Sequence, residues 1–344
     1  MRLRPWLSAA LSVAVIGCGG RAVAGGGPSV VASVAPVHSL VAAVMQGVGE
    51  PRLLVKAGAS PHAYALRPSD AAALQSADVV FWIGPGLEMF LEGPLETLAP
   101  AARRVALAEA PGLVLLPVRE SADFEARRHD GAEGDGHGSP PADAGDAALD
   151  GDHDDAAAGE HPPVDAHGHG AMDMHVWLDP RNARAMAAAI AATLEVADPA
   201  HADTYRSNAG ALDARLATLD ERLAAALAPV KGKPFVTFHD AYQYFDRRYG
   251  LAAVGAITVD PARAPGAERV RHLRDKMARL GAVCVFTEPQ FEPRLVETIV
   301  EGTPVRLGVL DPDAAAGHAP GPGLYAELME DLSAALVRCL SGTS

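Results

Sequence analysis

Several residue types are scarce in this sequence, and each shortage excludes a class of protein. Lys and Arg number 29 against 43 Asp and Glu, which gives a formal net charge of -14. Nucleic acid is therefore excluded as a partner, because phosphate binding requires clustered Lys and Arg that release counterions. No run of about 18 apolar residues is present to span a bilayer, and no HExxH or CxxC motif predicts a compact metal site.

Cysteine is also scarce, with only Cys18, Cys284 and Cys339 present. A chain of 344 residues can bury a core without disulfides or metal, so any bound metal would serve function. Once Cys18 is removed or lipidated, the other two form an even pair that can be oxidised outside the cytoplasm. A bridge would close a loop of about 56 residues, worth about 4 kcal/mol in the chain-entropy model, and would fix the C-terminal helix. Two buried free thiols are the alternative.

Residues 1–24 have the pattern of a secretory signal peptide. Two arginines precede an apolar run from Trp6 to Ile16, and small residues at 22–24 match the pattern before a cleavage site. The mature protein is therefore predicted to be soluble in the periplasm. A lipid anchor is the alternative, because residues 15–18 resemble a lipobox in which Cys18 would be lipidated. Both possibilities place the protein outside the cytoplasm.

Most of the negative charge lies in one segment, from His129 to His169. Its 41 residues include eleven Asp or Glu and no Lys or Arg, so the segment carries -11 of the -14. Because it has almost no large apolar residue, it cannot offset its ordering entropy by burial, and we predict a disordered loop. Its histidines predict auxiliary metal binding, with solvating acidic filler as the alternative. They are His129, His137, His153, His161, His167 and His169.

Short apolar strands alternate with helices in two stretches of the chain, which predicts an α/β protein with two (β/α)4 lobes on parallel sheets. The N-terminal lobe spans 28–179 and includes the loop at 129–169, and the C-terminal lobe spans 231–344. Connecting helices occupy 180–230, where leucines spaced by three and four predict a long rigid helix that joins the lobes. The predicted strands are Ser29–Val34, Arg52–Lys56, Asp78–Ile83, Arg104–Leu107, Pro234–Phe238, Leu251–Ile257, Ala282–Thr287 and Pro304–Val309.

Potential metal ligands follow the predicted strands. His62 follows the second strand, His175 lies where the chain re-enters the first lobe, His239 follows the first strand of the second lobe, and Asp311 follows its last strand. Because ligands bind at the carboxyl ends of parallel strands, these side chains are expected in one cleft between the lobes. Three imidazoles and a carboxylate suit tetrahedral Zn(II), and nitrogen donors favour zinc or copper over manganese or magnesium.

Four local motifs closely resemble the zinc-uptake solute-binding proteins of bacterial ABC transporters, the ZnuA type. The resemblance runs from about Ser29 to the C-terminus, and the motifs occur in the family's order. It implies two (β/α)4 lobes, a rigid joining helix and zinc in the cleft. The motifs are Ala59-Ser60-Pro61-His62-Ala63-Tyr64-Ala65-Leu66-Arg67-Pro68-Ser69-Asp70, His175-Val176-Trp177-Leu178-Asp179-Pro180, Thr237-Phe238-His239-Asp240-Ala241-Tyr242-Gln243-Tyr244-Phe245 and Phe286-Thr287-Glu288-Pro289-Gln290-Phe291.

The resemblance also implies roles for single residues. Carried over by position, His62, His175 and His239 are zinc ligands, and Asp311 is the candidate fourth ligand. Manganese-binding relatives have Glu at the position of His239, so the histidine supports zinc over manganese as the bound metal. The family also has a bridge that matches Cys284–Cys339 and a charged His-rich loop.

One position departs from the family. Some zinc-binding members carry Glu immediately before the first ligand histidine, where this chain has Pro61. Asp311 or a water would then complete the shell. Two nearby carboxylates have other expected roles: Asp240 either orients His239 or caps the following helix, and Glu288 forms structural hydrogen bonds.

The predicted function is that of a monomeric periplasmic receptor that binds Zn(II) with high affinity and delivers it to the permease and ATPase of an ABC transporter. No enzymatic activity is expected. A zinc-dependent hydrolase is one alternative, since three histidines and an open position can activate water. A periplasmic zinc buffer or chaperone that acts without a transporter is the other.

Overall fold

The described part of the chain excludes two of the predicted segments. The signal peptide at 1–24, with Cys18, and the acidic loop at 129–169, with its six histidines, lie outside the described residues. Within the part that is described, no helix combines the length and apolar character needed to cross a membrane. The computed structural model describes residues 26–56, 58–119, 124, 172–258, 266–292, 294–314 and 317–342.

Lobe one is a four-stranded parallel sheet with helices between its strands. The strand order is β2-β1-β3-β4, and the central strands are apolar and buried because helices cover both faces. Its elements are β1 (Val30–Ala32), α1 (Ala35–Val44), β2 (Arg52–Leu53), α2 (Pro68–Gln75), β3 (Val79–Trp82), α3 (Glu92–Leu98) and β4 (Arg103–Ala106).

Two strands and two helices follow lobe one. Strands β5 (Leu116–Pro117) and β6 (Met172–Asp173) pair antiparallel and form a short ribbon. Helix α4 (Pro180–Ala197) begins after Asp179, whose side chain accepts the Arg181 N–H as an N-cap. Helix α5 (Ala202–Leu227) has 26 residues and is about 39 Å long, and its leucines are buried against the core.

Lobe two repeats the winding of lobe one. Its sheet has the order β10-β9-β7-β8, so in both lobes the first strand lies between the second and the third. All pairs in it are parallel. Its elements are β7 (Pro234–His239), α6 (Gln243–Tyr249), β8 (Ala252–Thr258), α7 (Ala267–Leu280), β9 (Cys284–Thr287), α8 (Arg294–Val300), β10 (Arg306–Val309) and α9 (Leu324–Ser341).

The predicted α/β architecture with two parallel sheets and a long helix is confirmed, with two local differences. The alternation of strands and helices predicts one helix from Leu87 to Leu98, but the structure has a 3-10 turn, Met89–Leu91, followed by α3. Pro94 explains the late start of α3, since a residue without an N–H fits only the first turn of a helix. The ribbon was not expected at all.

Side chains and the C-terminal helix join the lobes. Trp177 Nε1 donates to Pro312 O over 2.8 Å, and Tyr325 on α9 donates from its hydroxyl to Trp177 O over 2.7 Å. The Tyr325 N–H also donates to Ser39 Oγ on α1. A disulfide between Cys284 and Cys339 ties β9 to α9, as predicted, so the helix that contacts lobe one is anchored covalently in lobe two.

Candidate metal centre

Three histidines from separate parts of the chain converge in the cleft. The Nε2 atom of His175 lies 3.3 Å from Nε2 of His62 and 3.4 Å from Nε2 of His239. Within the residues that the structure describes, these three form the one group of potential metal ligands whose donor atoms all lie within 4.8 Å of one another. The three nitrogens therefore surround a single point.

Each histidine is positioned by a different local structure. His62 lies in a 3-10 turn, Pro61–Ala63, where Ser60 Oγ accepts its backbone N–H. His175 follows β6 and precedes the 3-10 turn Val176–Leu178. His239 is the last residue of β7, at the carboxyl edge where a parallel sheet presents its ligand-binding side chains.

Two carboxylates hold the far nitrogens of two of these rings. His175 Nδ1 lies 2.8 Å from Asp173 Oδ1, and His239 Nδ1 lies 2.7 Å from Glu288 Oε1. A carboxylate accepts only, so each Nδ1 carries a proton, and a ring without a second proton presents the lone pair of Nε2 to the centre. Such outer partners fix the tautomer of metal-binding histidines and raise their basicity.

The sequence expectations for these outer residues were incomplete. Glu288 forms the hydrogen bonds expected of it, and they hold the ring of His239, one of the three converging histidines. Asp173 was not identified, although its place two residues before His175 was a usable signal. Asp240 pairs with Arg119 at 2.8 Å, while His239 is held by Glu288, and α6 begins at Gln243 without a side-chain cap.

Burial and charge act differently on the rings of the two lobes. Burial, aided by the neighbouring His175 and His239, lowers the pKa of His62 to about 2. For His239 burial also opposes protonation, but the Glu288 carboxylate outweighs it, and the pKa is raised above its ordinary value. His62 is therefore the weaker base of the two, and a proton competes with a metal more strongly at His239 than at His62.

The side chain of Asp311 accepts hydrogen bonds from other residues of lobe two. Its Oδ1 accepts a hydrogen bond from Gln290 Nε2 at 3.0 Å and another from the Asp313 N–H at 3.2 Å. The carboxylate is not part of the group of converging ligand atoms among the described residues. Its assignment as the fourth zinc ligand stays a prediction.

The donor set determines what the centre can bind. Three neutral imidazole nitrogens suit Zn(II) or Cu(II) better than the oxygen-preferring Mg(II) or Ca(II). They also leave one position of a tetrahedral shell for a fourth donor. The arrangement is thus a candidate metal site of three nitrogens at the junction of the two lobes.

Comparison with known proteins agrees with this geometry. The family model described as "Zinc-uptake complex component A periplasmic" matches residues 30–339. The high-affinity zinc uptake system protein ZnuA of Brucella suis biovar 1 (strain 1330) is 49% identical over 322 residues, covering 94% of each chain. That of Paracoccus denitrificans (strain Pd 1222) is 37% identical over 314 residues, covering 91% of this chain and 92% of the relative.

A solved structure supports the fold. The periplasmic zinc-binding protein TroA from Treponema pallidum superposes with a TM-score of 0.69 at 21% identity, over 92% of this chain and 99% of that one. At this identity the likeness establishes the architecture alone. The family match over nearly the whole chain and the two relatives establish the rest: the chain belongs to the family of periplasmic A components of zinc-uptake complexes.

Proposed function

We propose that this protein is a periplasmic high-affinity receptor that captures Zn(II) between its lobes and delivers it to the permease and ATPase of an ABC transporter. The observation that carries the proposal is the convergence of three Nε2 atoms from His62, His175 and His239. In this role the protein acts as a monomer, zinc is its cargo, and the site catalyses no reaction.

The ligands explain how capture depends on the arrangement of the lobes. His62 comes from lobe one, His239 from lobe two, and His175 from the segment after the ribbon. A metal ion bound to all three holds the lobes at the spacing that brings the nitrogens together. Any movement that separates the lobes removes a ligand, so a permease that spreads the lobes would weaken zinc binding and receive the ion.

The outer carboxylates prepare the site before zinc arrives. Asp173 and Glu288 fix the rings of His175 and His239 with Nε2 facing the centre. Little orientational freedom then remains to be lost on binding. Each carboxylate also offsets part of the positive charge that Zn(II) brings into a buried site.

Calorimetric titration with zinc tests the proposal. A chain lacking residues 129–169 is expected to bind one tight equivalent, because the three cleft histidines lie outside that segment. His239→Ala is expected to weaken zinc binding at this site by at least about a hundredfold. The change removes a ligand together with its hydrogen bond to Glu288. No tight equivalent in the shortened chain would overturn the proposal.

A matched control is His201→Ala. His201 also pairs with a carboxylate, Asp198, at 2.7 Å, but it lies at the start of α5 away from the cluster. Its replacement is expected to leave the affinity for zinc unchanged. Unchanged affinity in His239→Ala would remove His239 from the shell.

A further inference from the structure

One arginine ties the turn after His239 to the ribbon. Arg119 follows β5, and its Nη1 donates to Oδ1 of Asp240 over 2.8 Å. Its Nη2 lies 3.6 Å from Oδ2 of Asp246 on α6. A single guanidinium at the end of β5 therefore contacts two carboxylates of lobe two.

Asp240 connects this arginine to the candidate metal centre. It directly follows His239, and the Ala241 N–H donates to His239 O over 3.0 Å, so Asp240 is the middle residue of a tight turn. The side chain of Asp240 is 9% exposed. Because the turn is short, a fixed Asp240 carboxylate also fixes the backbone from which the His239 ring projects.

Both carboxylates are buried and need a compensating charge. Asp246 is 5% exposed, and within the described residues neither of its oxygens has a hydrogen-bond partner. Burial raises the pKa of Asp246 to about 7, and the charge of Arg119 is the main influence that opposes this rise. A buried charge is costly unless it is paired, so the two carboxylates hold the arginine in place.

The other side of the arginine belongs to the segment that positions His175. Strand β5 pairs with β6, and Asp173 of β6 holds the His175 ring. The ring of Phe124 covers the guanidinium, with its centroid 3.8 Å from the central carbon, a favourable contact for a cation. Arg119 thus joins the strand pair that leads to His175 to the turn that carries His239.

We propose that Arg119 is a positioning residue of the zinc site, which acts through Asp240 to hold His239 at its distance from His175. The inference rests on the proposed zinc-binding function and assigns a role to a residue outside the ligand shell. A nearby positive charge also has an opposite effect, because it repels Zn(II). Loss of a merely repulsive charge would tighten zinc binding, whereas loss of a positioning contact weakens it.

Zinc dissociation constants of the full-length chain, measured by competition with a chelator at one equivalent of zinc, test the proposal. Arg119→Gln is expected to weaken zinc binding about 5- to 20-fold, somewhat less than the loss of a carboxylate that contacts a ligand ring directly. Arg119→Lys keeps the charge and can still reach Asp240, although it cannot contact both carboxylates as the arginine fork does. It is expected to restore most of the affinity that Arg119→Gln loses.

Action through Asp240 gives a second test. Asp240→Ala alone should weaken zinc binding about as much as Arg119→Gln does. In the Asp240→Ala background, Arg119→Gln should change the affinity by less than about twofold, because the effects of two residues in one network do not add. Should Arg119→Gln not fold, Asp240→Ala carries the test, since it removes the same contact.

Arg248→Gln is the matched control for a loss of stability. Arg248 is 21% exposed, against 22% for Arg119, and donates to Asp220 of α5 over 2.9 Å, away from the converging histidines. Both variants should unfold at a lower temperature than the parent, but Arg248→Gln should keep the zinc affinity of the parent. With Co(II) in place of zinc, only Arg119→Gln is expected to alter the visible d–d absorption.

Three results would overturn the proposal: zinc binding by Arg119→Gln that is unchanged or tighter, the same loss with and without the Asp240 carboxylate, or an equal loss in Arg248→Gln. All three leave the zinc receptor itself intact. Failure of the receptor function would appear differently, as absence of a tight zinc equivalent in the parent chain.

Discussion

The two lobes share one strand order but use the end of their first strand differently. In lobe one, Ser33 follows β1, and its hydroxyl donates to the buried carboxylate of Glu88. In lobe two, His239 ends β7 and its ring is held by the buried carboxylate of Glu288. Both carboxylates follow the third strand of their sheet, β3 or β9.

The end of the first strand therefore serves the structure of lobe one, whereas in the proposed function it supplies a zinc ligand in lobe two. Glu88 also accepts the N–H groups of Ile83 and Gly84, so it closes a loop and has no capacity left for a ring. Burial raises the pKa of Glu88 to about 7, against these hydrogen bonds, which lower it. In the proposed function lobe one supplies His62 from the turn after β2 instead, so zinc would bridge positions that are not equivalent in the two lobes.

The largest effect on stability is expected from the covalent link that anchors α9 in lobe two. Replacing Cys284 and Cys339 together by Ser should lower the free energy of unfolding by about 4 kcal/mol, because the unfolded chain regains a long open loop. The affinity for zinc should be preserved under native conditions, since neither sulfur belongs to the group of converging ligand atoms among the described residues. Denaturant unfolding of the variant, compared with the parent with and without reductant, measures the loss. A loss below about 1 kcal/mol would contradict the prediction.

The paired carboxylates test the comparison between the lobes directly. Glu288→Gln is expected to weaken zinc binding about 10- to 100-fold. A neutral amide accepts the proton of His239 Nδ1 less strongly than the carboxylate does, so it no longer fixes the tautomer of the ring. Glu88→Gln should leave the zinc affinity within about threefold but lower the stability by about 1–3 kcal/mol, since buried donors lose their acceptors. Titration calorimetry and thermal unfolding of both variants separate the effects. Equal losses of zinc affinity in the two variants would show that Glu88 and Glu288 contribute equally to zinc binding.

The sequence predicted the parts of the site that depend on regular structure. Apolar strands alternating with helices place chain segments at one sheet edge, which brings His239 to the cleft, and the local motifs identify His62 and His175. The long helix followed from the periodic leucines of α5. These features depend on the spacing of residues that are close together in the sequence, so they can be predicted from it.

The parts that were missed depend on contacts between distant residues. Strands β5 and β6 have two residues each, and Leu116 pairs with Asp173 across a long separation in the chain, so no periodicity marks them. The hydrogen bond between Glu288 and His239 joins positions 49 residues apart.

The effect of pH should separate the ligand of lobe one from that of lobe two. Zinc must displace the proton of His239, whose pKa is raised, so the affinity should fall about tenfold per pH unit below that pKa. His62 adds no competition, because its pKa of about 2 keeps it neutral. Without zinc the sign is opposite: the protonated His239 stabilises the fold at low pH, and this contribution disappears as pH rises through the raised pKa.

Zinc competition assays from pH 5 to pH 8 measure this dependence. Glu288→Gln serves as the matched variant, since loss of the carboxylate should lower the pKa of His239 and move the fall in affinity to lower pH. An affinity that does not change across this range in the parent would contradict the assignment of the exchanged proton to His239.

The smallest effect is expected where the ribbon contacts lobe two. Tyr244 on α6 accepts the Leu116 N–H at 3.0 Å and donates to Asp173 O at 2.6 Å, so one hydroxyl is bonded to both ribbon strands. Tyr244→Phe should cost about 1–3 kcal/mol of stability, because the buried N–H loses its acceptor. Zinc affinity should fall only about two- to fivefold, since the Asp173 side chain still holds His175.

A buried tyrosine away from the ribbon provides the control. Tyr205 donates to Asp198 at 2.9 Å, and Tyr205→Phe should lower the stability by about 1 kcal/mol without changing the affinity for zinc. If Tyr244→Phe also left the affinity unchanged, lobe two would not position His175 through this hydroxyl. The ribbon would then act with lobe one, and two of the three ligands would belong to that lobe.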